Sequence, residues 1–174
     1  MKIRPACSGD TAAMARVRVD TWKVSCRNLV PAWYLDLLSY EVTERQWHRN
    51  IWEENNGRQA FVVENEAGEV VGTAIFGPAR DEGDYEVLKD YRGEIYVMYI
   101  LPAFQRQGTG RDLMRACAHA LSERGLTPFF LWIFEDCPTR LFCETLGGIR
   151  MAEKEVEYGG KRLMEVCYGW TNRN

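Results

Sequence analysis

Between Gly93 and Phe134 the chain reads as a strand, a glycine-bearing turn, an amphipathic helix and a second strand. That succession commits it to a parallel strand pair joined by a right-handed crossover. The helix carries Leu113, Met114, Cys117, Ala118 and Leu121 on one face and Arg111, Arg115, His119 and Ser122 on the other, with Gly125 where a C-cap would stand. The run from Pro128 to Phe134, PFFLWIF, is apolar throughout, as expected of a strand buried on both faces in the parallel part of a sheet.

The flanking chain supplies the other elements. Residues 2–6 form a short extended start containing Pro5, and Ser8 or Asp10 is placed to cap a helix in which Ala13, Met14, Val17 and Thr21 or Trp22 recur at helical spacing. Pro31 opens a short helical turn. Thr43 and Gln46 have capping-box spacing, and Trp47 and Ile51 follow four apart, which predicts a helix over 43–54. Residues 60–64 and 69–76 have strand character and are joined by Asn65-Glu66-Ala67-Gly68 as a hairpin. The connection 79–93 carries Asp81, Glu82, Asp84, Glu86 and Asp90 and reads as a solvated loop. Downstream, 139–146 suggests a short helix stopped by Gly147-Gly148, and 149–158 with 162–170 make a hairpin turned by Gly159-Gly160. The expected fold is α/β of the α+β kind: a mixed, mostly antiparallel sheet with one parallel βαβ crossover and flanking helices.

A length of 174 residues fits one domain, 1–174, and 46% apolar residues are enough to fill its core. No apolar run approaches the roughly 20 residues that span a bilayer, and MKIRPACSGD lacks the apolar segment of a signal peptide, so a cytoplasmic protein with no membrane partner is expected. The six cysteines are scattered without metal-ligand or disulfide-framework spacing, so no metal is expected. A net charge of −3 with dispersed Lys and Arg argues against nucleic acid and suits a cationic small substrate better.

Gln105-Arg106-Gln107-Gly108-Thr109-Gly110 opens the helix. A diphosphate needs many donors in a small space, and the first turn of a helix offers N–H groups without internal partners together with the positive end of the dipole. Gly108 and Gly110 let phosphate approach the backbone, while Arg106 and Arg111 add charge at the rim. No G-K-[ST] follows for a P-loop, and position 113 is Leu where a dinucleotide fingerprint has its third glycine.

A strand with Glu94 near its start and Pro102 at its end, followed by Q-x-x-G-x-G, resembles the pyrophosphate motif of the GNAT acyltransferase superfamily. The order of elements matches that fold over nearly the whole chain. Thr21-Trp22, Leu29-Val30-Pro31, Tyr34-Leu35-Asp36 and Leu38-Ser39 also look like a common bacterial branch. The resemblance implies an N-acetyltransferase with acetyl-CoA as cosubstrate. It implies that backbone groups of Met98, Tyr99 and Ile100, on a bulged strand, meet the pantetheine arm and the thioester carbonyl, and that amides from Arg106 or Gln107 through Arg111 hold the pyrophosphate behind Gln105. The pantetheine then lies where this strand splays from 129–134.

An alkyl amine with a pKa of about 10.4 must lose a proton before it attacks, and the resemblance makes Glu94 the base. Strand alternation places Glu94, Tyr96 and Met98 on one face and Ile95, Val97 and Tyr99 on the other. The plain alternative is a strand-end glutamate in water or in an ion pair. The chain departs from the family pattern after the second strand, where Asp136 stands for the usual pantetheine-contacting Asn and Cys143 for the usual general-acid Tyr. Cys143 then has three readings: packing alone, a weak proton donor, or a thiol facing the CoA sulfur. His48 and His119 both fall on predicted helices away from the motif, which disfavours a covalent acetyl-cysteine route and favours direct attack in a ternary complex.

The alternative function is a GNAT-fold protein that binds acyl-CoA with little or no transfer, a sensor or a remnant. The acceptor reads as a small-molecule amine or a peptide N-terminus. Trp22, Trp33, Tyr34 and Tyr96 either shape a site for a cationic acceptor or are ordinary surface and core. The last hairpin leaves a sheet edge able to pair across a homodimer.

Overall fold

The computed structural model describes residues 1–80 and 85–171. Strands β1 (Lys2–Pro5), β2 (Gln59–Glu64), β3 (Val70–Pro78), β4 (Gly93–Ile100), β5 (Phe129–Phe134), β6 (Ile149–Tyr158) and β7 (Lys161–Trp170) form one sheet in the order β1-β2-β3-β4-β5-β7-β6. All neighbours are antiparallel except β4 and β5, the pair joined by the crossover helix. The helices are α1 (Thr11–Ser25), α2 (Ala32–Asp36), α3 (Tyr40–His48), α4 (Thr109–Glu123) and α5 (Arg140–Thr145).

Strand alternation feeds two cores on opposite faces of the sheet. Leu113, Met114, Cys117 and Leu121 of α4 pack on Val63, Phe76, Ile95, Phe129 and Val166. Met14 and Val17 of α1, with Ile51, pack on Val62, Val70 and Ile75. At roughly 25 cal/mol per Å² of apolar surface removed from water, such doubly covered strands hold the scaffold.

Three local expectations are corrected. The helix expected over 43–54 starts at Tyr40, with Ser39 as its cap accepting from the Val42 amide at 3.2 Å. Thr43 cannot serve as the cap because it is buried inside the helix, where its hydroxyl accepts from Arg18 at 3.1 Å. The helix widens into a π-helical turn over Arg49–Glu53. Asp10 precedes α1 but turns its carboxylate to Arg4, at 2.7 and 2.9 Å, and to the Cys7 amide at 2.8 Å, making no side-chain cap on α1. The Arg4 guanidinium holds that carboxyl well below the usual range.

The third correction concerns β5. Only Phe129, Phe130 and Leu131 are buried, whereas Trp132, Ile133 and Phe134 are partly open. The cause is topological: β5 pairs with β7 along its whole length but with β4 only at Gly93↔Phe129 and Glu94↔Phe130. In the connection 79–93, Asp81, Glu82 and Asp84 lie outside the described residues, while Glu86 and Asp90 are exposed.

Candidate active site

β4 and β5 diverge beyond Glu94 and leave a V-shaped gap across the sheet. The narrow end is closed by Gly93, whose missing side chain makes room for the Leu126 carbonyl, and by the Arg92 and Gly93 amides donating to Pro128 O at 2.8 and 3.2 Å. Any Cβ at position 93 would overlap that carbonyl.

One arm of the gap is shaped by a bulge. The β3–β4 register runs Ile75↔Val97 and then Phe76↔Ile95, so Tyr96 is an extra residue. The alternation expected for β4 is therefore wrong beyond that point. Ile95, Met98 and Ile100 belong to the α4 side, whereas Tyr96, Val97 and Tyr99 share the α1 side, and Met98 parts company with Tyr96. Glu94 stays on the face of Tyr96, since Arg80 touches both.

Backbone groups follow from the same register. The Leu101 amide donates to Val71 O at 2.9 Å, and Tyr99 lies opposite Thr73 and Val97 opposite Ile75. Bonded and non-bonded pairs alternate in an antiparallel ladder, so Tyr99 and Val97 use their amides and carbonyls on β3. Met98 and Ile100 turn theirs into the gap. Ile100 O already accepts from Gln105 Nε2 at 2.8 Å and from Thr21 Oγ1 at 3.4 Å, which ties the following loop to the strand. Tyr99, named with Met98 and Ile100 from sequence, thus presents its side chain and not its backbone.

The loop enters α4 through left-handed backbone at Arg106 (φ 61°) and Gly108 (φ 86°). Among the described residues, the amides from Arg106 through Arg111 donate to no protein acceptor, and the first amide to do so is that of Asp112, to Gly108 O at 3.2 Å. The buried Thr109 hydroxyl in the same turn also lacks a partner. Arg106 and Arg111 are exposed, and no carboxylate pairs with either among the described residues. Gly110 lies against the Phe142 ring of α5, 3.4 Å from where its Cβ would be, so α5 packs directly on the loop. A row of unsatisfied donors at a helix N-terminus, with one orphaned buried hydroxyl, fits the diphosphate of a coenzyme A.

Glu94 is 1% exposed. Its carboxylate accepts from Arg80 Nε at 3.0 and 3.2 Å, from Arg80 Nη2 at 2.5 Å and from the Arg80 amide at 3.1 Å. The half-exposed Arg80 guanidinium also lies 5.3 Å from the Tyr96 ring centroid, and Tyr96 donates to Pro78 O. Cys143 is 2% exposed and belongs to the α4-side core. Burial, with lesser help from Cys137 and Glu144, pushes its thiol up to about 12. Asp136 sits exposed in the turn after β5.

On the α1 side the wide end of the gap is bridged by aromatic side chains. Trp22 Nε1 donates to Tyr99 OH on β4 at 3.0 Å, and the Trp22 ring lies 5.9 Å from Phe134 on β5. Tyr158 packs at 5.5 Å from Trp22 and 5.4 Å from Phe134, and Tyr34 stands 5.7 Å from Tyr158. Arg18 reaches into this group. Sequence reasoning singled out Trp22 and Tyr34 but missed Arg18, Arg80 and Tyr158. The signal for Arg18 was present: it is a charge inside the apolar stripe Met14, Arg18, Trp22.

A mixed sheet that opens over free helix-terminal amides has the architecture of an acyltransferase of the GNAT fold. The chain belongs to the Acetyltransferase (GNAT) family, whose profile matches residues 24–147. It is 35% identical over 168 residues to N-acetyltransferase YuaI of Bacillus subtilis (strain 168), itself uncharacterized, covering 97% of this chain and 91% of that protein. Among solved structures it resembles yncA of Salmonella typhimurium with its cofactor acetyl-CoA, at a TM-score of 0.71 and 19% identity over 100% of this chain and 95% of the other. It also resembles a phosphinothricin acetyltransferase from Sinorhizobium meliloti in complex with acetyl-CoA, at a TM-score of 0.70 and 18% identity over 98% and 87%.

Proposed function

We propose that the protein transfers the acetyl group of acetyl-CoA to a primary amine by direct attack in a ternary complex. The observation that carries this reading is the run of unsatisfied amides from Arg106 through Arg111, placed at the end of the arm of an open strand pair. In this reading those amides and Thr109 hold the diphosphate, Gln105 keeps the loop against Ile100, and Met98 and Ile100 present backbone groups to the pantetheine and the thioester carbonyl. Donors fixed in advance at a carbonyl oxygen favour the charge that develops there during acyl transfer. Asp136 flanks the pantetheine path at the turn after β5.

Glu94 is the carboxylate nearest the narrow end of the gap, and in this reading it receives the amine proton through water once Arg80 swings outward. The half-exposed Arg80 can do so, whereas Glu94 cannot reach solvent while the pair is closed. Cys143 contributes packing, because an acid with a pKa of about 12 cannot usefully protonate a less basic thiolate. The reading places the protein in the cytoplasm, where acetyl-CoA is available.

Calorimetric titration with acetyl-CoA, run beside CoA release on a panel of amines, tests the proposal. Expected are acetyl-CoA binding and turnover on at least one primary amine. Tight binding without turnover on any amine would favour the sensor reading, toward which the replacement of the usual acid by the buried Cys143 also points. Glu94→Gln is expected to depress kcat most at low pH, where the amine is protonated, and an unchanged pH–rate profile would remove Glu94 from the chemistry.

A further inference from the structure

Arg18 is an arginine on the inward stripe of α1 with no acidic partner among the described residues. Its Nη1 donates to Thr43 Oγ1 at 3.1 Å, and its guanidinium carbon lies 5.3 Å from the Trp22 ring centroid and 5.9 Å from that of Trp47. No carboxylate comes within ion-pair distance of it among the described residues, whereas Arg4, Arg80, Arg140, Arg150 and Arg162 all pair with one. A guanidinium has five N–H donors, and the neutral hydroxyls of Thr43 and Tyr99 that meet it here use few of them. Charged side chains withdrawn from water are ordinarily paired, because ring faces and neutral hydroxyls fix an orientation without supplying a counter-charge.

Its position gives the missing partner an address. The Trp22 ring beneath Arg18 is bonded to Tyr99 on β4 and packs on Phe134 of β5, the two arms of the gap. A molecule entering that gap from the α1 face to reach the thioester end passes Tyr99 and meets Arg18. Tyr99, Tyr158 and Cys26 there are each kept protonated and neutral by burial. The Glu165 carboxylate also acts on Tyr158, but among the described residues its ion pair is with Lys154, at 3.9 Å, and not with Arg18.

We infer that Arg18 receives a carboxylate carried by the acceptor, so that the acceptor is an amine bearing an acid group, as an amino acid does, and not a polyamine. The inference rests on the acetyl-transfer reading. It narrows the expectation of a cationic small substrate drawn from net charge, since Arg18 puts a positive charge at the acceptor end even though the whole chain carries −3. Tyr99, Trp22 and Phe134 line the path beside the amine, and Arg18 sets the distance between the acid group and the attacking nitrogen. The competing explanation is mechanical: Arg18 merely ties α1 to α3 through Thr43.

The test uses the full chain and pairs of acceptors that differ only in the acid group, an amino acid and its carboxamide, together with a diamine. The wild type is expected to prefer the carboxylate form. Arg18→Gln is expected to raise KM for it by about ten- to a hundredfold, as loss of a charge-assisted contact does, with the carboxamide and the KM for acetyl-CoA changed less than about threefold. Arg18→Lys should recover part of the preference, and Thr43→Val, which cuts only the tie to α3, should leave it intact. Equal rates for acid and amide in the wild type overturn the inference. So does an equal loss on both acceptors in Arg18→Gln accompanied by the Tm drop that Thr43→Val shows. Were no amine turned over at all, the acetyl-transfer reading would fail first. Calorimetric binding of the amino acid to the CoA-loaded protein then decides: binding lost in Arg18→Gln supports the carboxylate site, and no binding by the wild type overturns it.

Discussion

Cys143 shows how little a residue's chemistry can be read from its type alone. A thiol in the position where the family resemblance implies a tyrosine acid invites a catalytic role, but here it lies 2% exposed in the α4-side core with its pKa raised to about 12. Reaction with alkylating reagents requires the thiolate, so exposed Cys7 should be modified well before Cys143 in the folded protein. Cys143→Ala is expected to keep kcat within about threefold and to lower stability by about 1 kcal/mol, the cost of one small buried atom. A hundredfold fall in kcat, measured beside an unchanged Tm, would return the thiol to the reaction. The substitution itself was visible in the sequence, but its burial depends on α5 folding onto α4 through Phe142, a contact between segments far apart in the chain. Arg18 is the converse case. Its place in an apolar stripe was readable, while its lack of an acid partner depends on every neighbour the fold brings in.

Among the elements, the loop into α4 was the most legible because its requirements are local. Free amides and left-handed backbone are properties of the Q-x-x-G-x-G segment itself, and Gly108 has the positive φ such a turn demands. Asp and Asn both tolerate that conformation, and a Cβ at position 108 meets nothing within 4 Å. Gly108→Asp is therefore expected to fold and yet weaken acetyl-CoA binding by about ten- to a hundredfold, because its carboxylate occupies the donors and repels the diphosphate. Gly108→Asn, which has the same shape without the charge, should lose far less. Equal calorimetric affinities for the two variants would exclude this loop as the diphosphate site. The start of α3 was less legible. Thr43 and Ser39 are both competent caps, and what decides between them is the buried contact of Thr43 with Arg18, which helical spacing does not encode.

Over the whole molecule, alternation, turn residues and the crossover pattern sufficed to place the strands and helices, since each is a local or near-local signal. The splay of β4 from β5 and a bulge in β4 were expected only through the family resemblance, and the place of that bulge, at Tyr96, was not legible, because G-E-I-Y-V-M-Y-I contains nothing that marks one residue as supernumerary. The sheet is joined across its centre by just two parallel pairs. A ligand lying along the gap would bond to both halves, so saturating acetyl-CoA at about a hundred times its Kd should add about 2.7 kcal/mol and raise Tm by roughly 5–10 °C. Hydrogen exchange should then slow at Met98 and Ile100, whose amides face the gap, while Tyr99, already bonded to β3, changes little. Uniform slowing along β4 would contradict that backbone assignment.

The extra residue in β4 also sets how this protein can change over evolutionary time. Tyr96 shifts the phase of the strand, so that everything from Val97 onward lines the cleft or the core only because one residue too many precedes it. Point changes there retune a single contact, whereas deleting one residue would exchange the cleft's wall for the protein's interior. Acceptor preference can therefore drift by substitution, but the length of this strand is closed to change.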